Sequence, residues 1–416
     1  MKEPEQSYPP LVIIGMGDDG LDGLPLIAIR ELFNADVLYT SGRLERMLPE
    51  EVQARTHLWP SPFDLMVDDI RKQRKAGRQV VVITSGNPFW NGAGVLLARH
   101  FPPEQLVVHP APSSYSLACS RLGWAMQDVR KLSLHGRRSP AFVETAIQPG
   151  CRLLLLANDG RTPLEVAARL VRRGFGSSRM TILAHLNGAE ESRHDMTAQA
   201  IVDLEKDDFP DLHVLAVECL ADGPEARILP LVPGLPDDVF EHDGQITKQA
   251  VRAVTVSALM PRPGAVLWDV GAGCGSVAVE WLRIAGMQGR ACAIERNVAR
   301  CRMISNNADM LGAPHLEVTC DEAPDALHAL PRPDAVFIGT AAESEEIFDI
   351  CLDALRPGGI LVVNAVTAGG EAALAGRHER LGGELLRLAV SRAAPLGSRS
   401  AMRPALPVTQ FRLRKT

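Results

Sequence analysis

Short apolar runs alternate with longer amphipathic stretches along most of the chain. In the first half, Pro9–Gly17 (PPLVIIGMG), Ala35–Thr40, Arg78–Gly86 (RQVVVITSG), Leu106–Ala111, Cys151–Asp159, Arg179–Leu186 and Leu212–Leu220 read as strands. Between them lie helical patterns such as Pro163–Gly174 (PLEVAARLVRRG), where apolar residues recur at helical spacing. The rhythm breaks around residues 221–245, a stretch with four prolines and no clean period. A second alternation then begins. Ala265–Val270, Arg290–Glu295, His315–Cys320, Pro333–Gly339 and Ile360–Thr367 read as strands, and Ser276–Gly286, Asn297–Gly312 and Glu343–Leu355 as helices. Leu385–Ala394 and Leu406–Lys415 suggest a closing antiparallel hairpin. The pattern predicts two α/β domains with mainly parallel sheets, at 8–222 and 246–416, joined by a linker at 223–245.

The bulk numbers narrow this picture. At 416 residues the chain is long enough for two or three domains, and 46% hydrophobic residues suffice for two cores. A net charge of -6 argues against general nucleic-acid binding, which shows a basic excess. The 8 cysteines form no C-x-x-C pair, so neither a metal site nor a disulfide framework is expected; buried thiols in a reducing compartment fit better. MKEPEQSYPP lacks a signal core, and no apolar run approaches the ~18 residues of a membrane span. A cytoplasmic protein away from membranes is expected.

Candidate chemistry begins after the strand VLWDV. There Gly271, Gly273 and Gly275 give D-x-G-x-G-x-G, a turn that lets a ligand approach the backbone at a helix start. The dinucleotide fingerprint is G-x-G-x-x-G. Here the third glycine comes one place early, and Asp269 precedes the first by two. An acid at that point suits a cationic ligand group better than a pyrophosphate. Glu295 ends the next strand, where a carboxylate can accept both hydroxyls of a ribose. NAD and S-adenosylmethionine (SAM) share that ribose, so Glu295 alone leaves both open.

With CDEAP and PDAVFIGT ending the next two strands, and the closing hairpin, this half resembles the class I SAM-dependent methyltransferases, in particular their CbiT-like branch, which DGQITKQAVRAV also matches. The first half has its own segments: VIIGMGDDGLDGL, VVVITSGNPFWNGAG, HPAPSSYSLACSRLGW and SLHGR. In this order they resemble the tetrapyrrole (corrin/porphyrin) methylase family, class III SAM methyltransferases, in its CbiE-like branch. Asn87 in SGNP, Asp321 in TCDEAP and Thr340 in FIGT depart from the usual pattern of these families.

The resemblance implies a two-lobed tetrapyrrole methylase domain followed by a Rossmann-like one, each holding a SAM. It places one SAM at Gly15, Gly17, Gly86, Asn87, Pro88, Ser113 and Ser114, and the other at Thr247, Asp269, Gly271, Gly273, Gly275, Glu295 and Ala323. The implied reaction is methylation of precorrin-6Y at C5 and C15, with decarboxylation of the ring C acetate to give precorrin-8, in cobalamin biosynthesis. Such chemistry needs alignment and exclusion of water more than a catalytic triad. Methylation at C15 leaves an iminium-type electron sink near the acetate, and an apolar pocket favours its loss as carbon dioxide. Arg137, Arg138, Arg399 and Arg403 are candidate partners for the substrate's carboxylates, although each alone reads more readily as a solvated charge. Asn364 either faces substrate or caps its strand. The family also implies a homo-oligomer. Rival readings are a bidomain methyltransferase for RNA or protein, and a catalytic domain beside a scaffold domain; the acidic charge opposes RNA, and glycines in both halves oppose the scaffold.

Overall fold

The computed structural model describes residues 8–136, 138–204 and 209–416. They form two compact units. The first comprises residues up to Arg138 together with Gly150–Pro224, and the second comprises Ser139–Pro149 together with Glu225–Thr416. The sequence boundaries assign 139–149 to the first domain, and the structure assigns it to the second. There Phe142 stacks on His315 with ring centroids 5.1 Å apart, and the Gln148 amide donates to the Leu229 carbonyl at 2.8 Å. The expected linker is also largely built in: Leu229, Leu235 and Phe240 are buried in the second unit's core. Its prolines end regular structure, and most of the residues between these three anchors remain at the surface.

The first unit has two sheets. Thr56–Leu58, Val37–Thr40, Val80–Ser85, Leu11–Met16 and Leu106–His109 form one, in that spatial order and all parallel. Leu11–Met16 is central and wholly buried, which explains its continuous apolar run. The other sheet runs Val129–Ser133, Arg152–Leu156, His213–Glu218, Arg179–Ala184, Ser192–Thr197. Only its first pair is parallel; the remaining pairs are antiparallel. Here the mainly parallel expectation is corrected. Arg179–Ala184 and Ser192–Thr197 are joined by a loop too short for a crossover helix, so the chain returns as a hairpin. SRHDMT has no apolar run because it is a largely exposed edge strand.

The second unit is a seven-stranded sheet. Glu317–Thr319, Arg290–Ile294, Val266–Val270, Ala335–Ile338 and Ile360–Ala365 are parallel; Val408–Arg414 and Glu384–Leu388 complete it antiparallel. Alternate residues of these strands enter two cores. Leu267, Ala293 and Phe337 pack on one face, and Trp268, Ile294 and Ile338 on the other. The predicted closing hairpin is present, but its connection leaves the sheet. Ser391–Leu396 and Arg399–Pro404 pair with each other as a separate two-stranded ribbon. From Val266–Val270 the chain first builds outward to one side and then to the other, so connection order reverses beside that strand. In open α/β sheets the ligand crevice opens there, at the carboxyl ends of the strands.

Candidate active site

The crevice of the second unit holds a cavity of about 680 Å³. Its lining includes Thr247, Gly271, Gly273, Glu295 and Asn364 of the predicted set, and Arg403 of the predicted anchors. Gly271 has φ +74°, and a Cβ there would sit 2.0 Å from the Thr340 hydroxyl. Glycine is thus required by both backbone and space, and Thr340 at a usually smaller position closes the turn. Gly275 also has positive φ, caps the helix Ser276–Ala285 and packs on Ile304, outside the lining.

The turn uses its own donors. The N–H groups of Gly271 and Ala272 reach the Ile294 carbonyl at 2.9 and 3.0 Å, and that of Gly275 reaches the Ala272 carbonyl at 2.8 Å. Gly273 donates to Glu295 Oε2 at 2.9 Å. A pyrophosphate wants such donors free; a ligand that needs room beside a carboxylate does not. Glu295 is 7% exposed and also accepts the Asn297 N–H at 3.0 Å through Oε1. Each oxygen keeps a further acceptor position, since an ionised carboxylate offers about four.

Asp269 does not line the cavity. It is buried beneath the turn, where Oδ2 accepts the Ala278 N–H at 3.1 Å, and Oδ1 has no partner among the described residues. Burial pushes its carboxyl up to about 7, the Ala278 N–H opposing and the Glu295 charge adding to the rise. The structure gives it a supporting place under the helix start, not the ligand-facing one the sequence suggested. Ala323 likewise lies outside the lining, packed against the core of the opposite face.

Thr247 is held by a residue sequence reasoning missed. Arg252 is fully buried; its guanidinium donates to the Thr247 and Leu235 carbonyls, to Asp237 at 2.9 Å and to Glu280 at 2.6 Å. Glu280 in turn accepts the N–H groups of Gly234 and Leu235 at 2.6 and 2.9 Å. The buried pair therefore ties the strap 234–247 to the helices Gln249–Ala258 and Ser276–Ala285. An arginine inside an apolar helical pattern was the available signal. Asn364 is fixed similarly. Its amide donates to Thr255 Oγ1 at 3.0 Å, and its Oδ1 accepts from Gln410 at 2.9 Å. It both lines the cavity and belongs to this network.

In the first unit the predicted glycines converge. A Cβ on Gly15 would lie 2.2 Å from the Gly86 carbonyl, 2.8 Å from the Ala111 nitrogen and 3.0 Å from Pro88 Cδ. The loops after three neighbouring parallel strands thus meet at their carboxyl ends. Gly17 sits against Asp19. Asn87 Oδ1 accepts the Phe89 N–H at 2.9 Å, which shapes its loop. Ser113 caps the helix Ser114–Leu122 by accepting the Ser116 N–H at 3.2 Å. Beside this cluster Asp18 pairs with Arg43 and lies 3.6 Å from His185, and Arg43 also donates to Ser85 at 2.8 Å. None of these four was predicted; the acids of GMGDDG were the legible hint. Arg138 is exposed, Arg137 lies outside the described residues, and Arg399 sits at the tip of the ribbon, away from the cavity.

Fold and site together define a tandem of two methyltransferase-type α/β units, and the comparisons with known proteins agree. The tetrapyrrole (corrin/porphyrin) methylase model matches residues 10–201, and the precorrin methyltransferase domain model matches 238–415. The chain belongs to the family of precorrin-6Y C(5,15)-methyltransferase (decarboxylating). It is 44% identical to the Sinorhizobium sp. protein of that name over 98% of this chain and 97% of the relative. Identity to the Mycobacterium tuberculosis H37Rv protein of that name is 39%, over 97% of this chain and 100% of the relative. Among solved structures, the C-terminal domain of precorrin-6Y C5,15-methyltransferase from Rhodobacter capsulatus is 43% identical, covering 45% of this chain and 100% of that one with a TM-score of 0.43.

Proposed function

We propose that this chain methylates precorrin-6Y at C5 and C15 and removes the ring C acetate carboxyl as carbon dioxide, giving precorrin-8 in cobalamin biosynthesis. The carrying observation is similarity over 98% of the chain to a protein named for that reaction. The second unit takes C15 methylation and decarboxylation, and the first takes C5. Each unit holds one SAM, at the two glycine clusters named above.

The residues of the second crevice fit SAM. Bound SAM supplies an electrophilic methyl on a sulfonium. Glu295 accepts its ribose hydroxyls, and Gly271 and Gly273 make room beside that carboxylate. The segment at Thr247, fixed by Arg252, forms the opposite wall. Asn364, locked by Thr255 and Gln410, presents its remaining amide hydrogen to the macrocycle. The apolar lining keeps water from the reacting carbon, and positioning supplies most of the rate.

The test is incubation of the full chain with precorrin-6Y and SAM, followed by mass analysis. Two methyl groups gained and one carbon dioxide lost are expected. An unchanged substrate mass would overturn the assignment. Titration should find two SAM per chain; a single site would remove the two-site part.

A further inference from the structure

The cavity of the second unit has a marked charge imbalance. Lys248, Arg300, Arg392 and Arg403 line it, and Glu295 is its only carboxylate among the described residues. The whole chain, by contrast, carries a net charge of -6. Arg300 is neutralised by Asp243 at 2.8 Å. Arg392 and Arg403 have no acidic partner among the described residues; the one hydrogen bond of Arg403 goes to the Pro395 carbonyl at 3.3 Å.

These two arginines are cross-strand partners. In the ribbon formed by Ser391–Leu396 and Arg399–Pro404, Arg392 stands directly opposite Arg403. Directly opposed residues share a face of an antiparallel pair, and like charges there repel. A ribbon that is mostly solvent-exposed has no packing reason to hold two guanidinium groups together. Both nevertheless line the cavity, beside an apolar wall that includes Val390, Leu406 and Val408. Leu406 is 76% exposed and Val366, also in the lining, 53%.

We infer that Arg392 and Arg403 form a two-pronged carboxylate clamp that grips peripheral acid side chains of the macrocycle and orients it over the SAM cleft. This rests on the function proposed above. The repulsion between the arginines is relieved when an anion lies between them, and each fork pairs bidentately with a carboxylate. The exposed apolar residues beside them take the face of the ring. Glu295 and the glycine turn mark the nucleoside end of the cavity, and the ribbon marks the macrocycle end. The ribbon thus sets which acid-bearing edge of the substrate enters, and so which carbon meets the methyl group.

The test uses the full chain with saturating SAM, varies precorrin-6Y and follows carbon dioxide release, comparing wild type with R392M, R403M and the double variant. The double variant is expected to raise KM for precorrin-6Y at least about tenfold, with kcat within about threefold, as loss of uniform substrate binding requires. The SAM dissociation constant should stay within about twofold and the melting temperature should not fall, because a repulsive pair is removed. A wild-type KM in the double variant would overturn the clamp, and so would a parallel loss of SAM affinity and melting temperature, which marks a structural role. A wild type that neither binds nor converts precorrin-6Y would instead overturn the proposed function.

Discussion

At the scale of single residues, two carboxyls on neighbouring strand segments, Asp269 opposite Ala293 and Glu295 two residues beyond it, do different work. Glu295 stays at the cavity wall with two N–H donors holding it, whereas Asp269 is sealed below with one. Glu295→Gln keeps the side-chain shape but replaces one acceptor oxygen with a donor facing an N–H. SAM affinity of the second unit should fall about 10- to 100-fold, on the order of the 1.5–3 kcal/mol of a charged hydrogen bond. Calorimetric titration would then find a single tight site per chain; two tight sites would remove Glu295 from the cofactor contacts. The Asp269 prediction concerns pH. Its folded value, about 7, lies above the ordinary 3.8, so the folded state holds the proton more tightly. The stabilisation is complete below the ordinary value and is lost as pH rises through the folded one. Asp269→Asn, neutral throughout, should flatten the decline in denaturant midpoint between about pH 4 and 7. An equal slope in variant and wild type would show that Asp269 does not set it.

Among the elements, the strap 234–247 and the ribbon 391–404 contrast. The strap is pinned by Arg252 and Glu280, both 1% exposed or less. Arg252→Met leaves Glu280 buried without its partner and should cost about 3–5 kcal/mol in chemical unfolding. Arg252→Met combined with Glu280→Gln should recover part of that, which separates uncompensated charge from lost packing. The ribbon buries little and pairs only with itself. Replacing 391–404 by a short turn should leave SAM binding at the second unit intact and abolish carbon dioxide release. A large fall in melting temperature would instead show that the ribbon supports the sheet. Neither device was visible as such in the sequence. The strap's prolines read as a linker, and the arginines at 392 and 403 are eleven positions apart without a shared period. Pairing register, not spacing, brings them together.

For the whole molecule, the division into units is not a single cut. Ser139–Pro149 counts with the second unit, where Phe142 packs on His315 and Gly312 approaches Thr145 within 2.8 Å of a Cβ position. A second unit begun at 225 lacks these contacts. It should melt roughly 2–4 °C lower than one supplied with the 139–149 peptide, the shift that about 1 kcal/mol produces in a domain of this size. No change on adding the peptide would show the contacts to be inconsequential.

The sequence by itself determined the alternating elements, the buried central strands, the glycine turns and the kind of ligand they suit. These depend on local pattern: strand and helix periods, and backbone angles open mainly to glycine. Convergence of Gly15, Gly86 and Pro88 was legible for the same reason, because each ends a neighbouring parallel strand. The tertiary structure alone decided which polar groups face the cavity. Asp269 is the penultimate residue of its strand and Glu295 follows the end of the next, yet one is sealed beneath the turn and one lines the site. Ala323 packs against the core of the opposite face, Arg252 became a hub, and Arg392 met Arg403. Each outcome depends on burial and on contacts between distant segments, whose energies are set only once the sheet has closed around them.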